Sequence, residues 1–418
     1  MVASIDRVPS VPNSPSPFTV YTKQIKEMIV VDPYTIRFKT AAPYPLMPTD
    51  MTQVAIISKG AAKASTDDFN SGRAAIGTGP YKLVRYANGD RIELARNDAY
   101  WGGKTPWEKA TLRLLPNDAS RVAALLAGDV QAIEYVPTPD VSRIRSEGRL
   151  NVYKVIADRL IYLHLDSDRD VSPYVKDKDG RAIAKNPLKD ARVRKAISKA
   201  INRAAIVEKV MEGEAVAAGQ LLPEGMFGTT PRLKVEPYDP EGARKLLAEA
   251  GYPNGFGLTV HSPNNRYVND AKVAQAVAQM LTRIGIATKV EAMASATFFP
   301  QATELKFSFM LLGWGSGTGE ASSTLKALLA TYNKEKGFGT ANRGSYSNPR
   351  VDALLEEGLA TVDDSKRETL LQRATEIAIG DTGIIPLHFQ VNLWATRDGI
   401  VYADENTLAH KFRPAKQH

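Results

Sequence analysis

The sequence predicts an α/β protein of two domains, with mixed sheets flanked by helices, and three features lead there. Between residues 257 and 315 the segments "GLTVHSP", "NDAKVAQAVAQMLTRIG", "IATKVEAM", "SATFFPQATEL" and "KFSFMLLGWG" alternate between strand-like and helix-like patterns, as parallel strands with crossover helices do. The earlier part of the chain instead shows hairpin signals. The length, 418 residues, is enough for two or three separately cored domains.

Taken in order, "VASIDRV" reads as the tail of a helix and is followed by a Pro/Ser loop. "IKEMIVVDPYTIRFKT" gives two strands joined at Asp32-Pro33, and "IGTGPYKLVRYANGDRIELARN" a second hairpin turning at Asn88-Gly89-Asp90. A βαβ unit is expected next: strand "KATLRLLP", a helix capped by Asp118, and strand "VQAIEYVP". "NVYKVIADRLIYLHLD" is read as two strands, and the polar loop "SDRDVSPYVKDKDG" as a crossing between domains. Helices are predicted over 188–211, 239–250, 270–284, 349–360 and 364–379. The clearest of them starts at Asp239 as N-cap with Pro240 in the first turn, and Gly251 follows its end. "IIPLHFQVNLWAT" is an apolar strand that returns to the first domain.

Composition narrows the chemistry. With 43% hydrophobic and 24% charged residues the chain is of ordinary globular type, and no run approaches the roughly 20 apolar residues that span a bilayer. The absence of cysteine excludes disulfides, thiolate nucleophiles and cysteine-ligated metals. The net charge of +8 is densest in "KDARVRKAISKAINRAAIVEKVM", where Arg192, Lys195, Lys199 and Arg203 form a stripe opposite the apolar face. The stripe reads first as a solvated surface and second as a docking face. No nucleic-acid-binding motif accompanies it, so nucleic acid is not an expected partner.

Ligands of open parallel sheets lie beyond the carboxyl ends of the strands. That rule puts "HSPNNRY" (261–267) and "GWGSGTGE" (313–320) on one rim and makes Asn264, Arg266, Trp314, Gly315, Ser316 and Glu320 candidate ligand contacts. A structural reading, in which Trp314 only packs under a loop, stands beside it. The glycine spacing fits neither a dinucleotide fingerprint nor a P-loop, no lysine follows, and Glu320 would repel a phosphate. Catalytic motifs are absent, and the histidines at 164, 261, 388, 410 and 418 stand singly, so neither cofactor nor metal is expected. His164 and His388 suit half-buried structural imidazoles that can also line a cleft. Tyr162, on the same strand as His164, and Arg343, in the loop "ANRGSY", complete the candidates.

Several runs, in order, resemble the periplasmic solute-binding proteins of peptide- and nickel-type ABC importers, extracellular solute-binding protein family 5. They are "VVDPYTIRFKT", "IGTGPYKLVRYANGDRIELARNDAYWGG", "ARVRKAISKAINRAAIVEKVMEGEAVAA", "YDPEGARKLLAEAGYP", "GWGSGTGEASS" and "YSNPRVDALLEEG". The resemblance implies a two-lobed, type II periplasmic-binding-protein-like fold that closes on a peptide-like or other small polar organic solute. It also implies a monomer in the periplasm that delivers the solute to an inner-membrane ABC permease without catalysis. It divides the chain into a remnant of a small N-terminal subdomain (1–76), lobe I (77–166 and 386–418) and lobe II (167–385). A hydrolase or transferase using the interlobe cleft, or a chemoreceptor or chaperone-like binding protein, are the alternatives. Two departures bear on function. Members that hold free peptides commonly carry an acidic residue three positions after the tryptophan, where this chain has Gly317. The family's signal peptide and first strands are missing ahead of "VASIDRV", so the chain reads as a truncated member with an unpaired edge in its first sheet and weak solute binding by itself.

Overall fold

Capping residues set the helix boundaries in the second half of the chain. Asp239 accepts the Gly242 N–H at 2.8 Å, and the helix Pro240–Glu249 closes ahead of Gly251, whose φ is 92°. Asn348 and Asp363 cap Pro349–Ala360 and Asp364–Gly380 in the same way, at the predicted positions. These boundaries come from a computed structural model that describes residues 1–12, 18–177, 179–402 and 412–414. His410, His418, most of the Pro/Ser loop and one residue of the 167–180 loop lie outside the described residues.

The chain divides into two units, one formed by 1–41, 46–155 and 392–418, the other by 42–45 and 156–391. In the first, β1 (Ile25–Asp32) and β2 (Thr35–Thr40) make the expected hairpin. Its turn is held by the Tyr34 N–H donating to Asp32 Oδ1 at 2.7 Å. β3 (Tyr81–Ala87), β4 (Arg91–Arg96) and β5 (Lys109–Arg113) form an antiparallel sheet in that order, turning at Gly89 with φ 76°. The helix Asp118–Ala127 follows, capped by Asn117 and not by Asp118. β6 (Ala132–Glu134) then pairs antiparallel with residues 394–396, so the expected βαβ unit does not form. The two segments instead meet at the Arg121 guanidinium, which donates to Leu115 O at 2.9 Å and Tyr135 O at 2.8 Å.

The strand β7 (Leu150–Leu165) is one 16-residue element and not two. β8 (Val175–Lys176), β9 (Ala215–Ala217), β10 (Gly257–Pro263), β11 (Ala287–Met293), β12 (Phe309–Trp314) and β13 (Ile385–Arg397) complete the large sheet. The second unit has the order β11-β10-β12-β7-β13. β10 runs parallel to both β11 and β12, as the alternation predicted, while β12 runs antiparallel to β7. Period-2 alternation gives this sheet two apolar faces. Ile161, Leu163, Phe309 and Leu311 pack on one side against the helices Ala191–Lys199, Pro240–Glu249 and Asp270–Arg283. Leu160, Tyr162, Met310 and Leu312 pack on the other against Ser295–Thr303, Pro349–Ala360 and Asp364–Gly380.

The helix predicted over 188–211 breaks. Ala191–Lys199 ends at Ala200, and Asn202 caps a new start by accepting the Ala205 N–H at 2.9 Å. The break turns Arg203 inward, correcting its place in the solvated stripe. Its guanidinium is buried and donates to Pro386 O, Ser198 O, Ile201 O and Ser198 Oγ. Lys195 and Lys199 pair with Glu236, and Lys199 also with Asp239 at 3.0 Å, so much of the stripe's charge is met within its own unit.

Candidate functional site

The end of β12 organises the rim of the second unit's sheet. Its register against β7 sets Gly313 opposite Ile161 and Trp314 opposite Leu160. Trp314 is half-buried against the core on its face of the sheet, and its buried indole N–H has no hydrogen-bond partner among the described residues. Gly313 is required by packing. A Cβ there would lie 2.6 Å from a Tyr267 ring carbon and 2.8 Å from Ile161 Cδ1. The Tyr267 hydroxyl donates to Gly313 O at 3.1 Å. Gly313→Ala is therefore expected to displace the tyrosine and lower stability by about 1–3 kcal/mol. Chemical denaturation checks this, and an unchanged midpoint would contradict the packing described.

Beside it, the loop after β10 is shaped by Asp270, whose carboxylate accepts the N–H groups of Arg266 at 2.9 Å and Tyr267 at 3.1 Å. Burial pushes the Asp270 pKa up, and those backbone donors oppose the rise. Arg266 is exposed, with its guanidinium 5.4 Å from the centre of the Tyr267 ring. Asn264 is exposed, while Asn265 accepts the Ser295 N–H at 2.8 Å, at the start of the helix Ser295–Thr303.

The glycine loop closes on itself. Ser316 is buried, its hydroxyl donating to Glu320 O at 3.0 Å and accepting the Glu320 N–H at 3.2 Å. Glu320 is buried too, taking Arg367 Nη1 at 2.7 Å and the Ser322 hydroxyl. Both side chains hold the loop through these bonds.

Below the rim, Tyr162 and His164 are fully buried, and neither the phenol oxygen nor either ring nitrogen has a hydrogen-bond partner among the described residues. Burial, with the nearby Arg343 adding to it, holds His164 down at about 3. Arg343 is half-buried near the Phe299 ring and donates to Thr303 Oγ1 at 3.3 Å, with its Nε left unpaired. His388 lies on β13 opposite Ala217, and burial lowers its pKa to about 4.

Sequence reasoning missed two charged residues. Asp158 and Arg159 precede Leu160 on β7, and a Cβ on Gly315 would lie 3.4 Å from Asp158 Oδ1 and 4.0 Å from Arg159 Nε. Burial raises the Asp158 pKa against the opposing pull of Arg159. The signal lay in the polar pair inside "VIADRLIY", within a segment that reads as two strands.

A cavity of about 1140 Å³ lies elsewhere, in the first unit. Consecutive residues 109–116 and 129–135 line it, so it meets the backbone edges of β5 and β6 and not one side-chain face of either.

Comparison with known proteins bears on both units. The model of the bacterial extracellular solute-binding proteins, family 5 Middle, matches residues 1–336. The chain is similar to Heme-binding protein A of Haemophilus influenzae, 26% identical over 324 residues that make up 76% of this chain and 55% of that protein. It is also similar to the Dipeptide-binding protein of Escherichia coli, 26% identical over 84% of this chain and 63% of the other. It thus spans less than two thirds of the length of either relative. Among solved structures, the periplasmic binding protein DppA of Helicobacter pylori in complex with the peptide STSA superposes with a TM-score of 0.79 at 23% identity. That match covers 100% of this chain and 80% of that one. The expectation of a periplasmic-binding-protein-like α/β fold is borne out by this likeness.

Proposed function

Because the chain belongs to the bacterial extracellular solute-binding proteins of family 5, we propose that it captures a peptide-like or other small polar organic solute for an ABC importer. It would act in the periplasm as a monomer and hand the solute to an inner-membrane permease. One observation carries the reading. At the end of β12 a half-buried tryptophan with an unpaired N–H stands next to glycine backbone and rim arginines, and this set of groups suits orientation of a ligand. An extended solute can pair with such a strand end through main-chain hydrogen bonds while the indole supplies an apolar wall. The relatives' names, a heme-binding and a dipeptide-binding protein, support a binding role.

The site does not favour a hydrolase or transferase. Those need a base within reach of a nucleophile, whereas His164 and His388 are enclosed and held neutral by burial. Within the second unit, Trp314, Gly315, Arg266 and Asn264 are the proposed solute contacts, with the half-buried Arg343 near them, while Tyr162 is enclosed in the core below. His388 is assigned a structural part.

Trp314→Ala is expected to weaken solute binding by about 1–3 kcal/mol, the usual cost of losing a large aromatic anchor. Native mass spectrometry of freshly purified protein identifies the retained solute, and calorimetry then compares the variant with the parent. Equal affinities would remove Trp314 from the site.

A further inference from the structure

Among the described residues, two strand edges of the first unit lack a neighbouring strand and face one cavity. β5 is the last strand of the β3-β4-β5 sheet, and β6 ends the large sheet beyond β13. In the ladder to β4, the Leu114 N–H donates to Asp90 O at 2.8 Å and the Arg96 N–H to Glu108 O at 2.9 Å. Leu112 and Ala110 lie between them, opposite Ile92 and Leu94. Alternation then turns the main-chain groups of Lys109, Thr111 and Arg113 the other way. On β6 the Arg397 N–H donates to Gln131 O at 2.9 Å and Ile133 lies opposite Ala395, so Ala132 and Glu134 turn theirs away from β13. All five residues line the cavity of about 1140 Å³.

The connection between the two edges agrees with this. The helix Asp118–Ala127 joins β5 to β6, and a crossover helix ordinarily links strands of one sheet. Here the two strands do not pair, and the gap between them is lined by Leu94, Leu112 and Ile133. Arg121 closes one end by bonding both Leu115 O and Tyr135 O. The lining runs over 109–116 on one side and 129–135 on the other, so each edge offers seven residues or more.

Side chains restrict what can lie there. A strand added beside β5 would set alternate residues over Ala110 and Leu112, an apolar surface continued by Leu94. The residues between them would flank Lys109 and Arg113, where opposite charge is favoured. Both cations are exposed, and among the described residues neither has a carboxylate partner. Glu134, on the far edge, already accepts the Trp394 indole N–H at 3.3 Å.

We propose that this cavity is a second binding site, which takes an extended segment of another polypeptide as an added strand. The segment is about seven residues long, apolar at alternate positions and acidic between them. Main-chain hydrogen bonds to both edges hold it, and the added strand joins β5 to β6 in one sheet. The site is separate from the β12 rim and does not depend on it.

The test uses a fluorescein-labelled, amidated octapeptide of alternating valine and glutamate, and the same peptide N-methylated at each valine, on the full chain. The first is expected to protect 109–113 and 132–134 from hydrogen exchange, and the second to bind about tenfold or more weakly by fluorescence anisotropy. Thr111→Pro removes a main-chain donor that faces the cavity and no bond of the β4 ladder. It is expected to keep its fold by circular dichroism and to bind the octapeptide about tenfold or more weakly. Should it fail to fold, Ala132→Pro makes the same test on the other edge. The double variant Lys109→Glu with Arg113→Glu should prefer the peptide in which lysine replaces glutamate. Equal binding of the N-methylated peptide would overturn strand addition. Protection confined to the β12 rim would overturn this site and leave solute capture standing. A dimer in sedimentation that the octapeptide does not dissociate, with the same edges protected, would give the cavity to a second copy and overturn the proposal.

Discussion

Arg367→Met lowers the stability of the second unit by about 3–5 kcal/mol, the cost of leaving a buried carboxylate without its partner. The Arg367 and Glu320 side chains are only 9% and 8% exposed, with Nη1 and Oε2 2.7 Å apart. The guanidinium also lies 4.2 Å from the centre of the Phe227 ring and reaches Asp364 at 3.2 Å, so its loss removes packing as well as charge. The effect falls on the loop from Trp314 to Glu320, because Glu320 and Ser316 close that loop through reciprocal hydrogen bonds. Hydrogen exchange over 321–329 and 364–380 reads the loss locally, without assuming that the two units unfold together. The double variant Arg367→Met with Glu320→Gln should recover part of the stability, since no uncompensated charge then remains. A single variant within about 1 kcal/mol of the parent would show the pair to be solvated in practice.

Acid has the second large effect. Burial holds His388 at about 4 and, together with Arg343, His164 at about 3. An unfolded histidine takes up its proton near 6.5. Both folded values are depressed, so the stability these residues contribute is fully present above about 6.5. It is lost as the pH falls from there toward the folded values. The steepest loss is about 1.4 kcal/mol per pH unit for each histidine, or about 2.7 for the two together. His261 is also lowered by burial, but Glu291 at 3.2 Å opposes that shift and makes its share smaller. Denaturation midpoints measured from neutral pH down to about 4 check the slope. His388→Gln should reduce it by roughly half. A flat profile over that range would mean that the imidazoles reach water before the unit unfolds.

The parts of the fold that were legible in the sequence are those fixed by neighbours a few residues away. Asp239 caps its helix where the pattern placed it, because a cap needs only a side chain and the next turn, and the helices capped by Asn348 and Asp363 begin at the predicted residues. The parallel pairing of β10 with β11 and β12 followed from alternation and crossover length. The misreadings share one cause, which is that tertiary partners decided them. Asn202 could end one helix and cap the next only once Arg203 had carbonyls such as Pro386 O to turn toward. "NVYKVIADRLIYLHLD" reads as two strands, yet Asp158 and Arg159 lie within a single strand, beside Gly315.

The candidate site divides in the same way. The rule of strand carboxyl ends placed the loops of Trp314 and Arg266 beside each other from local pattern alone, as the Tyr267 bond to Gly313 O shows. The internal bonds of Glu320 and Ser316 were not legible, because they depend on Arg367 and on loop closure. Arg159 was missed because its place at the rim follows from the register of Leu160 against Trp314, which no local pattern encodes.

The central claim is that the solute sits at the end of β12. Difference hydrogen exchange of the purified chain, with and without a mixture of N-acetylated dipeptides, tests it most directly. Protection is expected to concentrate in 158–162, 264–267 and 313–320. Protection confined to 109–116 and 129–135, with the β12 rim unchanged, would contradict the account and move the site to the cavity of the first unit.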